Sequence, residues 1–286
     1  MDFVRKQTES GPVMQVEEKE GVTYLTFPAL TKTGIVKHLF STRLGGVSEG
    51  IFSTMNLSYT RGDKKEAVDE NFRRIARVLD CRMEDFVCSD QTHTTNIRKV
   101  TREDAGKGVT RQRDYRDIDG LVTNEKGIVL ATFYADCVPL YFVDTKKQVI
   151  GLAHSGWRGT VGRMGGKMLE MMVKEYGCDK RDVLAAIGPS ICGDCYEVSG
   201  DVALQFQREF GDVVLRAKKE QDKYQLDLWK ANELVLLQAG MLPYQITVTD
   251  ICTCCNDKLL FSHRASLGKR GNLGAFIGLL QQSMEG

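Results

Sequence analysis

Residues 131–166 read ATFYADCVPLYFVDTKKQVIGLAHSGWRGTVGRMGG. Two apolar runs, Val138–Val143 and Gln148–Ala153, flank the polar turn Asp144-Thr145-Lys146-Lys147, the pattern of a β-hairpin with a four-residue loop. If Val143 pairs with Gln148, Cys137 stands opposite His154. Directly opposed residues share a sheet face, with Cβ atoms about 4.5–5.5 Å apart. A thiol and an imidazole so placed can share a metal or form a Cys–His dyad. A slip of one residue would put them on opposite faces.

Composition narrows the surroundings of this hairpin. The chain has 286 residues, enough for a substantial core, and a single domain over 1–286 is expected, with 1–30 as a peripheral N-terminal segment. The 39 Lys and Arg against 38 Asp and Glu leave no electrostatic footprint for nucleic acid or membrane. No apolar run approaches the roughly 20 residues of a membrane span, and the polar start MDFVRKQTES lacks a signal-peptide core. A cytoplasmic protein is expected. Nine scattered cysteines fit reduced thiols or metal ligands better than a disulfide framework. The sequence specifies no oligomer, and a monomer is compatible with it.

Outward from the hairpin, Val22–Phe27 and the segment around IVKHLFSTR read as strands. Between them and the first clear helix lies LGGVSEGIFSTMNLSY. Its glycines allow close approach of a ligand to the backbone, and Arg43 and Asn56 supply polar groups. An ordinary glycine-rich connection reads as well. Asp63 to Asp80 is helical, with Val68, Phe72, Ile75 and Leu79 on one face, and Asp63 with Glu66 resembles a capping box. His93 lies in the polar turn DQTHTTNI. Residues 101–117 are highly charged and read as an exposed loop. Ile128–Tyr134 reads as a strand. Beyond the hairpin, a helix carries Leu169, Met172, Val173 and Tyr176. Then come a strand (Val183–Ile187), a helix (Gly200–Phe210), a charged connection around Lys218–Lys223 and a helix (Leu228–Ala239). Ile246–Thr249, Leu259–Ser262 and Gly274–Leu280 are candidate strands. Strands and helices alternate irregularly, which favours an α+β fold with mixed sheets.

Three constellations can carry chemistry. His93, Cys137 and His154 would leave one tetrahedral position of a zinc ion open, as catalytic sites do. Asp136 would orient a ligand or act as acid or base. The bland alternative is a buried thiol, a hydrogen-bonded core histidine and a surface histidine. Cys192-Gly193-Asp194-Cys195 with Cys252-Thr253-Cys254-Cys255 can form a structural metal site, but CTCC lacks a clean repeat of the first spacing, and free cysteines around turns are the alternative. Arg43, Arg158, Arg163, Arg264, Lys269 and Arg270 can hold an oxyanion or be ordinary surface charge.

Taken in order, STRLGGVSEGIFSTMNL, DQTHTTNI, DIDGLVT, ADCVPLYF, AHSGWRGT, IGPSICGDCYEV, DLWKAN and CTCC…FSHRA…GKRGN resemble the YlmD/YfiH family, most of all its YlmD branch. Members have been labelled purine nucleoside phosphorylases, polyphenol oxidases and peptidoglycan editing factors. The resemblance implies α/β/β/α layers similar to those of the cytotoxic necrotising factor deamidases, and a zinc site at His93, Cys137 and His154. It implies phosphorolysis of adenosine, inosine, guanosine and methylthioadenosine, with deamination of adenosine. Arg43, Asn56 and Arg158 are then the expected contacts to substrate and phosphate, and Cys137, His154 and Asp136 the expected catalytic groups. A Cys–His amide hydrolase acting on cell-wall precursors is the alternative. A copper polyphenol oxidase fits less well, because several copper centres need more imidazoles than the four present.

Overall fold

The computed structural model describes residues 2–6, 11–217 and 222–281. The expected charged connection at 218–223 lies largely outside them. The predicted hairpin forms from Val138–Asp144 and Val149–Ser155, and every residue of both strands is buried. Alternation along the strands assigns two different partners. Tyr141, Val143, Ile150 and Leu152 point into one hydrophobic cluster, while Leu140, Phe142, Val149 and Ala153 point into another. A strand covered on both faces reads as a continuous apolar run.

The first of those clusters lies between two six-stranded sheets. One sheet runs, in spatial order, Gln15–Lys19, Val22–Thr26, Val36–Ser41, Leu273–Leu279, Val129–Tyr134 and Phe86–Cys88. The other runs Ile246–Val248, Val183–Ile187, the two hairpin strands, Gly120–Thr123 and Ile97–Lys99. Both are mixed, with parallel pairs at Phe86–Cys88 against Val129–Ala131, Ile97–Lys99 against Gly120–Val122, and Ala185–Ile187 against Ile246–Val248.

Helices cover the outer faces. Lys65–Val78 lays Val68, Phe72 and Ile75 against Leu39, Phe86 and Phe276 of the first sheet. Met164–Tyr176 and Leu228–Gln238 pack on the second, and Gly200–Phe210 packs on a small sheet of Glu197–Ser199, Lys223–Leu226 and Leu215–Ala217 that extends the same cluster. The order helix, sheet, sheet, helix is the α/β/β/α arrangement that the family resemblance implies, and the mixed sheets are those expected from the irregular alternation of strands and helices. Each fully buried Leu or Phe in these layers contributes roughly 1.5–3 kcal/mol, so the order is held by the strands' two-sided burial.

Several expectations need correction. The described part of residues 1–30 is not peripheral: it supplies two strands of the first sheet, and Phe3 and Met14 join the inter-sheet core. The hairpin register is displaced, with Val143 opposite Ile150 and His154 opposite Pro139. Asp144 causes this. Its Oδ1 accepts the N–H groups of Lys146 and Lys147, at 2.9 and 2.8 Å, which makes Asp144 the last paired residue and moves the loop to 145–148. Gln148 closes that loop in the left-handed region, at φ 51°. The Asp63 capping box does not form. Asp63 Oδ2 accepts from Ser48 Oγ and Asn56 Nδ2, and the helix starts at Lys65. The charged stretch 101–117 is tied down, with Lys107 buried between Asp104 and Asp114 at 2.8 Å each and Tyr115 Oη donating to Cys88 O at 2.6 Å. Leu259–Ser262 is not a strand. The Leu259 and Leu260 N–H groups turn back to Asn256 O, while Leu260 and Phe261 still fill the core.

Candidate active site

Two passages of the chain from one sheet to the other assemble the site. The loop after Phe86–Cys88 leaves the first sheet and enters the second at Ile97–Lys99, and it carries His93. The bend after Val129–Tyr134 makes the same passage into Val138–Asp144, and it carries Cys137. His154 is the penultimate residue of the returning hairpin strand. The ligand atoms of these three residues lie within 4.8 Å of one another. Cys137 Sγ is 4.0 Å from His93 Nε2, and the His93 and His154 rings meet edge to face with centroids 4.9 Å apart.

The organiser is Asp119, in the DIDGLVT stretch. It is fully buried. Its Oδ1 accepts from His154 Nδ1 at 2.7 Å and from His93 N at 3.1 Å, and its Oδ2 accepts from Thr92 N, Thr94 N and Thr94 Oγ1. Burial favours the neutral carboxyl, but the hydrogen bonds from His154 and Thr94 hold Asp119 below the usual carboxylate range. One carboxylate thus fixes the His154 ring and the backbone on either side of His93, which adopts φ 66°. With Nδ1 taken, His154 has Nε2 left for a metal or a thiol.

Cys137 and His154 perturb each other. Burial would push the Cys137 thiol up, but the imidazoles of His154 and His93 bring it down to about 6. Burial would push His154 down, but Cys137 and Asp119 raise it to about 9. Both shifts favour a thiolate beside an imidazolium. Gly156 leaves room for this, since a Cβ there would stand 3.0 Å from Cys137 Sγ and 3.1 Å from His93 Cδ2.

His93, Cys137 and His154 open onto a cleft of 1490 Å³. Its other walls include residues 57–61, the tied loop 108–116, and Arg270. Arg270 is buried. Its Nη1 donates to Gly271 O and Asn272 Oδ1, and its Nε has no hydrogen-bond partner among the described residues. Burial and the nearby Arg61 push this guanidinium down to about 10, so it stays charged at neutral pH.

The other expected contacts lie elsewhere. Arg43 donates to Ser53 O and Asp257 O and stacks on Phe261. Asn56 is buried and brackets the backbone of Ser58 and Asn272. The neighbouring glycines serve chain packing, because a Cβ at Gly45 or Gly46 would meet backbone atoms. Arg158 stacks on Trp157 at 4.1 Å and is exposed. Neither Arg43, Asn56 nor Arg158 lines the cleft. Asp136 is beside Cys137, at φ 89°, but its oxygens accept from Thr253 Oγ1 and Arg264 N, both at 2.7 Å. It orients its own loop, and the carboxylate that orients His154 is Asp119.

A family model described as multi-copper polyphenol oxidoreductase laccase matches residues 37–280. The chain belongs to this family, that of YlmD and YfiH. Purine nucleoside phosphorylase YlmD of Bacillus subtilis is 38% identical over 246 residues, covering 84% of this chain and 87% of that protein. The crystal structure of YlmD from Geobacillus stearothermophilus superposes with a TM-score of 0.87 at 36% identity, over 94% of this chain and 100% of the other. YfiH of Bacillus licheniformis gives the same TM-score at 33% identity, over 93% and 99%. The α/β/β/α layers are thus those of the YlmD and YfiH structures. The word multi-copper in the family description does not match the donors in this member. Among the described residues, no second group of three or more metal-ligating side chains contains a histidine. No helix among them is long and apolar enough to cross a membrane.

Proposed function

We propose that this chain is a cytoplasmic, zinc-dependent purine nucleoside phosphorylase. It would take adenosine, inosine, guanosine and methylthioadenosine, and would also deaminate adenosine. The observation that carries the reading is the meeting, on one cleft, of a His–Cys–His group with a buried arginine that has an unpartnered Nε. The names borne by the relatives support the same reaction.

The donor set fits zinc. Two imidazoles and a thiolate converge, His154 presents Nε2 because Asp119 holds Nδ1, and three protein ligands leave a fourth position open. Bound there, zinc supplies Lewis acidity and a means of activating water at neutral pH. The rest of the chemistry falls to the chain. Phosphorolysis breaks the bond between C1′ and the purine nitrogen and forms one between C1′ and a phosphate oxygen. Arg270, with Arg61 beside it, holds and orients the phosphate, and a buried guanidinium does so without reorganising. Asp119 keeps both histidines in place throughout. Deamination exchanges the purine amino group for a water oxygen, releasing ammonia, and needs no phosphate.

Purified protein given inosine tests the reading. Release of hypoxanthine should require phosphate and yield ribose 1-phosphate, and adenosine should yield inosine without phosphate. Base release that is absent or indifferent to phosphate would refute the phosphorylase assignment.

One observation favours a second reading. Cys137, His154 and Asp119 form the sequence thiolate, imidazolium, carboxylate that a Cys–His amide hydrolase uses. A cell-wall peptide would be its substrate. A tightly held equivalent of zinc on Cys137, found by elemental analysis, would count against it, since a metal-bound thiolate is a poor nucleophile.

A further inference from the structure

The cysteines behind the Cys137 loop form a second group. Cys192, Cys195, Cys252 and Cys255 bring their Sγ atoms within 4.8 Å of one another. Cys254 is not among them, so the CTCC stretch contributes its first and last cysteines. Those two have the same C-x-x-C spacing as Cys192 and Cys195. The irregularity seen in the sequence comes from the odd cysteine alone. In a tetrahedral site with metal–sulfur bonds of about 2.3 Å, sulfurs stand roughly 3.8 Å apart. Cys195 and Cys255 are 3.5 Å apart.

The surroundings are arranged for thiolates. The N–H groups of Cys192 and Cys255 both donate to Cys252 Sγ, at 3.2 and 3.4 Å. Each C-x-x-C lies in a turn. Cys195 N and Tyr196 N return to Cys192 O, and Thr253 N bonds to Ser190 O, joining the two turns. Lys6 and Arg216 flank the first turn through Asp194. Four cysteines close a tetrahedron and leave no position for substrate, and none of the four lines the catalytic cleft.

The group also has a mechanical connection to the active site. Thr253, inside the second turn, donates to Asp136 Oδ1, and Ile191, next to Cys192, donates its N–H to Asp136 O. Arg264 completes the link, with its N–H on Asp136 Oδ2 and Nη1 on Cys195 O.

We propose that Cys192, Cys195, Cys252 and Cys255 form a second metal centre, a tetrathiolate site for a thiophilic divalent cation that fixes the loop carrying Asp136 and Cys137. Zinc is the expected occupant. A single iron shares the same ligand chemistry, whereas a cubane iron–sulfur cluster would hold its cysteines farther apart.

Elemental analysis of two proteins tests this. Wild type should carry about two metal equivalents, and the double variant His93→Ala/His154→Ala about one. In that variant the retained metal should leave when a mercurial titrates the thiols. Cobalt loaded in its place should show thiolate charge-transfer absorption of a four-sulfur site. Zinc and iron are told apart by the element found. A double variant without metal overturns the proposal, whether all nine thiols then react freely or disulfides have formed. Cys192→Ser/Cys195→Ser should lose this equivalent alone and melt lower. If it fails to fold, the histidine variant still decides. The readout does not use turnover, so an inactive protein that holds the second metal would refute the phosphorylase reading and leave this one standing.

Discussion

The two sulfur-containing groups differ in how they are closed. His93, Cys137 and His154 come from the passages between the sheets, mix two imidazoles with one thiol, and face a cleft. Cys192, Cys195, Cys252 and Cys255 come from two turns on one side of the molecule, offer four thiols, and lack access to that cleft. Three ligands and an open side suit chemistry, and four ligands suit support. The difference teaches that ligand count and access, rather than the presence of cysteine, separate a reacting site from a tether. The two groups are joined through Asp136, so the second positions what the first uses.

The hardest test of this division is His154→Ala. Loss of one electrostatic partner in a preorganised site costs about 10²–10³-fold in turnover, and here a metal ligand goes with it. We expect phosphorolysis to fall by at least that much, with one metal equivalent lost and the tetrathiolate equivalent retained. Turnover within tenfold of wild type would break the comparison, because the open group would then be no more catalytic than the closed one.

Asp119→Asn comes next. An amide can still bond to the His154 ring, but it lacks the carboxylate's charge and cannot serve five donors equally. Orienting carboxylates of this kind are worth roughly 10–100-fold in metal affinity or activity. A matching substitution at Asp136 separates the roles. Asp136→Asn should weaken activity less than Asp119→Asn, since Asp136 touches Thr253 and Arg264 and not the histidines. The reverse ranking, measured as kcat/KM for inosine, would restore Asp136 as the catalytic carboxylate.

Arg270→Met addresses the cleft. Removing a charged hydrogen-bond partner of an anion costs about 1.5–3 kcal/mol, which is roughly 10–100-fold in KM for phosphate. KM for inosine should change far less. Equal effects on both constants would place Arg270 in the packing of the cleft rather than on phosphate, and Arg43 or Arg158 would have to be tested again.

These residues also show what the sequence could reveal. The hairpin was legible because strands buried on both faces leave long apolar runs. Its register was not, because Asp144 captures two backbone N–H groups and moves the loop along by one residue. That shift moves cross-strand partners by two, which preserves the face, so Cys137 and His154 still meet. Asp119 stayed hidden because its role depends on two inter-sheet passages that no local pattern announces. Its only signal was its place in the DIDGLVT stretch. Arg270 was one of six basic candidates, and only burial distinguishes it. Arg43 and Asn56 misled because a glycine-rich loop that folds on itself has the composition of one that holds a ligand.

The smallest effect on turnover should come from His38, and it sharpens the contrast among histidines. His38 is as buried as His154, but no carboxylate among the described residues holds it: its Nε2 accepts the Phe27 N–H at 2.9 Å, which requires the neutral ring. Burial lowers it to about 4 from an ordinary 6.5. As pH falls below 6.5 the unfolded chain takes up a proton that the folded chain refuses. Stability contributed by neutral His38 is therefore present above 6.5 and lost as pH falls through 4. The span corresponds to about 3 kcal/mol at 1.36 kcal/mol per pH unit. His38→Gln should leave phosphorolysis at neutral pH within about twofold while flattening this acid limb. Chemical denaturation of both proteins between pH 7 and 4 measures it as the narrowing gap between their unfolding free energies. A gap that does not change with pH would mean that folded His38 takes up its proton as readily as the unfolded chain does, and the account of His38 as a core imidazole held neutral by burial would then fail.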